Sequence, residues 1–476
     1  MRKEDRLTGL DKKYLWHPFT QMKEWEESHP LIIESARGNY LFDRRGRRYL
    51  DATSSIWVNL HGHQKGAIDT AIRRQLKKVA HSTLLGLSST PAILLANELV
   101  KIAPQGLTRV FYSDNGSTAV EVALKMAFQY WRHLGEPGRT KFISFANAYH
   151  GDTVGAVSVG GIDLFHGAYR PLLFESIKAP SAYCYRCPLG LSFPRCGIAC
   201  AEEIEKILKR SPGQIAAVVV EPVVQAAAGM IMAPAGYLVR LRSLCDQYGV
   251  LLIVDEVATG FGRTGRMFAC EHQGVAPDLM AIAKGLSGGY LPLAATLTTE
   301  SIYRAFLGSY RDFKTFFHGH SYTGNPLCCA AALANLKIFR RERVLQKVRA
   351  KTRVMERSLR DIEKLPHTGE VRQRGLMVGI ELVENKETRK PYPLEGRMGH
   401  RVCERMRDAG ILLRPLGNVI VLMPPLSVTL GEIRRMVREL SKAIRDITEA
   451  GGPQRPRADR ERTRRSAPGY LRVRRK

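Results

Sequence analysis

Between residues 66 and 330, short apolar runs alternate with longer stretches of helical periodicity, and this alternation constrains the fold more than any other feature of the chain. The runs at residues 109–112, 141–144, 217–220 and 251–254 are bounded by Gly, Pro, Asp or Asn. A strand with one face in water alternates apolar with polar residues, whereas a strand covered on both faces stays apolar. The pattern therefore predicts an α/β protein whose large domain, residues 66–330, is built on a mostly parallel sheet covered by helices. Residues 1–65 mix turns with extended runs such as Tyr40-Leu41-Phe42-Asp43 and Tyr49-Leu50-Asp51. They read as a β-rich segment that joins a small α+β domain at residues 331–448, where helical segments flank extended runs at 375–380 and 419–423.

Charge raises a competing reading. The chain of 476 residues carries 73 Lys+Arg against 45 Asp+Glu, a net +28, and a positive field attracts polyanions. Ten of the basic residues fall within residues 451–476, beside only Asp459 and Glu461. That basic tail, taken as 449–476, has few apolar residues at helix or strand spacing and is expected to be disordered. The remaining charge is spread without the aromatic interleaving of a single-strand binding surface, so no specific nucleic-acid partner is expected. No apolar run approaches the roughly 18 residues of a membrane span, and the polar start of the chain is not followed by the apolar segment of a secretory signal. A cytoplasmic location is the default expectation.

The chemistry concentrates at two points. Asp255 ends the apolar run at 251–254, at the carboxyl end of a strand, where open α/β sheets bind ligands. Lys284 follows a second apolar run and precedes Gly285 and the Ser287-Gly288-Gly289 stretch. A lysine in apolar surroundings has its amine pKa pushed down, as a Schiff-base lysine requires, and an acid can keep a pyridinium nitrogen protonated. Together they are the minimum equipment for pyridoxal 5′-phosphate. A phosphate site is offered by Asp114-Asn115-Gly116-Ser117-Thr118, where Gly permits close backbone approach and an opening helix supplies free N–H groups. Taken alone, that stretch is an ordinary N-cap at Ser117. Gly260-Phe261-Gly262-Arg263-Thr264-Gly265 also satisfies G-x-G-x-x-G, but five residues separate it from the strand and no amphipathic helix opens at Gly265, so a dinucleotide reading is not adopted.

The segments around Asp255 and Lys284, Gly116-Ser117-Thr118-Ala119-Val120-Glu121 and His318-Gly319-His320-Ser321-Tyr322-Thr323-Gly324-Asn325-Pro326 resemble class III pyridoxal-phosphate aminotransferases. Trp16-His17-Pro18-Phe19-Thr20, Ser54-Ser55-Ile56-Trp57, His61-Gly62-His63 and Arg414-Pro415 are similar to the branch that aminates 8-amino-7-oxononanoate in biotin synthesis. The resemblance implies a fold-type I transferase that acts as a homodimer with shared active sites. Lys284 would carry the cofactor and shuttle the proton, and Asp255 would pair with the ring nitrogen. Gly116 and Ser117 would hold the phosphate, joined by His320 and Ser321 of the second subunit. Tyr149 would stack on the ring with Val257 opposite, and Asp152 would steady the site. Substrates would meet Phe19, Ile56, Trp57, Tyr149, Arg263, Lys284, Gly319 and Arg414, the two arginines gripping carboxylates. His150 and His318 read as structural hydrogen bonders.

The chain departs from that branch at Ile56, where paired tryptophans are usual, and at Phe19, where Tyr is usual. Adenosylmethionine is the donor the resemblance implies, and the two departures leave lysine as the alternative. Other class III activities, on ornithine, 4-aminobutyrate or an ω-amino acid, would keep the cofactor residues and change the pocket. Nine cysteines are too few for a disulfide scaffold. Cys184, Cys187, Cys196 and Cys200 could ligate zinc or an iron–sulfur cluster, or remain loop thiols. Their spacing matches no standard finger, and the thiol reading is preferred. Cys245, Cys270, Cys328, Cys329 and Cys403 read as core residues.

Overall fold

The computed structural model describes residues 3–449. The basic tail expected beyond them lies outside the described residues. Seven strands form one sheet in the order Leu107–Ser113, Ala294–Thr299, Leu279–Ile282, Leu251–Asp255, Ile215–Val220, Lys141–Phe145 and Ile177–Ala179. Every pairing is parallel except those of Ala294–Thr299, which is antiparallel to both neighbours. Ile215–Val220 and Leu251–Asp255 are buried at every position, which explains their lack of polar alternation.

Two-residue periodicity divides the core between the faces of this sheet. Leu251 and Ile253 pack in one cluster with Ala119, Val122 and Ala123 of the helix Gly116–His133. Leu252 and Val254 point the other way, into a cluster with Leu241 and Leu244 of Tyr237–Gln247. The residues of Leu251–Asp255 thus alternate between two buried faces, and the carboxylate comes at the strand's end.

A second, antiparallel sheet is formed by Thr368–Arg374, Met377–Asn385, Val419–Leu422 and Arg414–Leu416, with Lys390–Pro391 at its margin. The N-terminal strands Ile33–Arg37, Tyr40–Asp43 and Arg48–Asp51 make a meander whose last member pairs in parallel with Ile411–Leu412. Residue 330 lies within the helix Pro326–Arg341, whose apolar face packs on Gly66–Leu76 and Thr90–Ile102. No helix among the described residues is long and apolar enough to cross a membrane.

Candidate active site

The carboxyl ends of the central strands open into a cavity of about 500 Å³, within the usual range for small-molecule sites. Gly116, Ser117, Tyr149, Asp255, Val257, Lys284 and Trp57, all expected from the sequence, line it.

Asp255 is the last residue of its strand. Its Oδ2 accepts a 2.7 Å bond from His150 Nδ1, and its Oδ1 accepts from the Val257 N–H at 3.0 Å. These bonds fix the orientation of a buried carboxylate that would otherwise be costly. Lys284 opens a short helical turn after Leu279–Ile282, with φ at +44°. Burial pulls its amine below the ordinary lysine range, against the opposing pull of Asp255 and Glu221.

The helix Gly116–His133 starts at the same edge. Its N-cap is Asn115, not Ser117: Asn115 Oδ1 accepts from the Thr118 N–H at 3.1 Å, and Thr118 Oγ1 accepts from the Asn115 N–H at 3.2 Å. With the cap supplied by Asn115, the Ser117 hydroxyl is free for other work, and it accepts from the Asp152 N–H at 3.1 Å. A Cβ on Gly116 would stand 2.6 Å from Val257 Cγ1. On Gly151, at φ +121°, it would stand 1.9 Å from Ser117 Oγ, so the loop carrying Tyr149 closes on the helix only without side chains there.

Tyr149 donates through its hydroxyl to Asp152 Oδ2 at 2.7 Å and through its N–H to Glu221 Oε1 at 3.1 Å. Burial, then the bond to Asp152, pushes its phenol up. Glu221 also accepts from the Ala226 N–H at 2.9 Å, lines the cavity, and is raised by burial to about 7. Sequence reasoning missed Glu221, although it follows the apolar run at 217–220 as Asp255 follows its own.

Other expected residues lie elsewhere. Arg263, expected to grip a carboxylate, is 1% exposed and outside the cavity wall. Its Nη1 donates to Ser54 Oγ at 3.0 Å and to the Pro424 carbonyl at 2.8 Å, and its Nη2 to the Asn59 carbonyl at 3.0 Å. Both terminal nitrogens donate to oxygens of the chain itself, and burial lowers its pKa to about 9. Phe19 is exposed and meets Phe165 edge-on at 5.4 Å. Ile56, Arg414, Gly319 and Ser321 also lie outside the cavity wall. His320 is outside the wall too, its Nε2 4.0 Å from Oδ1 of the lining residue Asp114.

Cys184, Cys187, Cys196 and Cys200 surround a separate hollow of about 20 Å³. None of them is joined in a disulfide, and among the described residues no three His, Cys, Asp or Glu side chains are arranged to hold a metal ion. The other five cysteines are buried.

Residues 21–444 match the family described as Aminotransferase class-III, and the chain belongs to that family of fold-type I, pyridoxal-phosphate-dependent enzymes. Among its relatives is the adenosylmethionine-8-amino-7-oxononanoate aminotransferase of Geobacter sulfurreducens, 54% identical over 443 residues, which cover 93% of this chain and 98% of that protein. The protein of the same name from Nitratidesulfovibrio vulgaris is 56% identical over 448 residues, covering 94% and 83%. The crystal structure of the Methanocaldococcus jannaschii protein of that name superposes with a TM-score of 0.90 at 48% identity, covering 94% and 100%. An amine transaminase from an uncultivated Pseudomonas species, solved in its PLP-bound form, gives 0.87 at 38% identity, covering 91% and 99%.

Proposed function

We propose that this enzyme transfers an amino group to 8-amino-7-oxononanoate, making 7,8-diaminononanoate for biotin synthesis, with adenosylmethionine as donor. The observation that carries the reading is the convergence of Lys284, Asp255 and the start of the helix Gly116–His133 on one cavity. The donor set and the close-packed glycine cradle suit pyridoxal phosphate, which when bound supplies an electron sink for charge at the substrate Cα. Asp255 would keep a proton at the ring nitrogen. Gly116 and Ser117 would hold the phosphate, aided by the helix N-terminus. Tyr149 and Val257 would bracket the ring. The Lys284 amine, whose neutral form burial favours, would take and return the proton at the substrate carbon. Trp57 would keep water from that amine. Phe19 and Ile56, whose departures favour lysine as donor, lie outside the cavity of their own chain, and the preference for adenosylmethionine rests on the whole-chain likeness to proteins of that name.

The working unit in this reading is a cytoplasmic homodimer. Exposed large apolar side chains, including Trp16, Tyr310 and Phe317, support it, as do His320 and Ser321 standing off the cavity wall. The test incubates the purified enzyme with 8-amino-7-oxononanoate and either adenosylmethionine or lysine, and detects diaminononanoate by mass spectrometry. Product with adenosylmethionine is expected. Product with lysine alone reassigns the donor. Turnover of ornithine or 4-aminobutyrate with no diaminononanoate from either donor replaces the reading with another class III activity.

A further inference from the structure

Residues Ser54, Ser55, Ile56 and Trp57 form a single left-handed helical turn, with φ values of 52°, 49°, 62° and 69°. It is closed by bonds from the Trp57 N–H to the Thr53 carbonyl at 2.8 Å and from the Val58 N–H to the Ser54 carbonyl at 3.0 Å. L-residues bear a steric penalty there at each position, because Cβ crowds the following carbonyl, and they visit it singly rather than in runs. Glycine would adopt the turn freely, yet all four residues carry side chains. Such strain persists only where the surroundings over-determine it, and it concentrates at functional sites.

The anchor is Asp51, 1% exposed at the end of the strand Arg48–Asp51. Its Oδ1 accepts from the Ser55 N–H at 2.9 Å, and its Oδ2 accepts from Ser55 Oγ at 2.7 Å. His63 Nε2 stands 3.7 Å from the same Oδ2. Burial alone would raise this carboxyl, but the contacts from His63 and Ser55 outweigh it and hold it below the ordinary carboxylate range. A second tether ties Ser54 Oγ to the Met423 carbonyl at 2.6 Å. The turn delivers the Trp57 ring to the cavity wall, with its centroid 5.5 Å from Lys284 Nζ.

We propose that Asp51 is a positioning residue, which holds the left-handed turn so that Trp57 faces Lys284 and sets how tightly the amino donor and acceptor bind. The inference rests on the transaminase reading above, and it concerns binding rather than the chemical step. Asp51→Ala should raise KM for donor and acceptor roughly 10-fold with kcat changed far less, since a displaced wall loses contacts made equally in ground and transition state. Asp51→Asn, which keeps one acceptor for Ser55, should fall between the two. Combining Asp51→Ala with Trp57→Ala should add nothing to the KM change of Trp57→Ala alone, because one residue acts through the other. Ser55→Gly should reverse most of the rise in KM caused by Asp51→Ala, because glycine holds the turn without an anchor.

The visible absorbance of lysine-bound pyridoxal phosphate and the thermal midpoint are followed throughout, and Asp51→Asn decides if Asp51→Ala does not fold. Unchanged KM in a folded Asp51 variant, or KM effects that add in the double variant, would overturn the assignment. Wild-type enzyme that shows neither the absorbance nor turnover would instead overturn the transaminase reading.

Discussion

Lys284 and Glu221 face the same cavity, and burial moves them in opposite directions, the amine down and the carboxyl up to about 7. Lys284→Ala should lose the visible absorbance of the bound cofactor and reduce turnover by at least about 10³-fold, since attachment and proton transfer both depend on one amine. Borohydride treatment of the wild type followed by peptide mapping should place the pyridoxyl label on Lys284, and a label elsewhere would refute the assignment. Glu221 carries a pH signature. Its carboxyl binds a proton more tightly in the folded chain than at its ordinary value of 4.5, so its contribution to stability is full below that pH and is lost as pH rises through about 7. Glu256, also raised by burial to about 7, adds to the same loss. In denaturant titrations at pH 5 and pH 8, Glu221→Gln should therefore lose less stability than the wild type, by on the order of 2–3 kcal/mol. An equal loss in both would show that Glu221 titrates as a solvated carboxyl.

At the scale of elements, the helix start and the strand ends carry the site together. Asn115→Ala removes the cap of Gly116–His133 and should cost about 1 kcal/mol of stability along with cofactor affinity. Ser117→Ala leaves the Asn115 cap intact, so it should weaken cofactor retention with little change in the thermal midpoint. Equilibrium dialysis and thermal melts of both variants separate the two effects, and a midpoint loss in Ser117→Ala as large as in Asn115→Ala would contradict the division. The strands were legible because burial on both faces leaves a run of apolar residues that no partly exposed strand shows. Asp255 and Lys284 were legible for a related reason, a lone charge closing such a run. Glu221 carries the same signal at the end of the run at 217–220. Arg263 was a different case, because a motif reveals that an arginine is present but not which oxygens will fold around it.

At the scale of the whole molecule, the shared-site reading predicts complementation. Lys284→Ala chains mixed with Ser321→Ala chains should partly recover activity, since one site of the mixed dimer receives both defects and the other neither. No recovery after demonstrated subunit exchange would mean that each chain builds its own site, as the position of His320 beside its own Asp114 would also permit.

The amino-acid sequence by itself determined the α/β class, the parallel core and the lone charges Asp255 and Lys284 that line the cavity, because each is written in local pattern and spacing, while the family followed from the likeness of whole motifs. Tertiary structure alone decided what depends on distant partners. The parallel pairing of Arg48–Asp51 with Ile411–Leu412 joins segments more than 350 residues apart in the chain, and no local pattern specifies it. The burial of Arg263 among Ser54, Asn59 and Pro424 and the left-handed turn at Ser54–Trp57 are decided in the same way. Local preference opposes that turn, and it stands because the adjoining strand end Asp51 is joined by Arg263 and Met423 from distant parts of the chain to hold it.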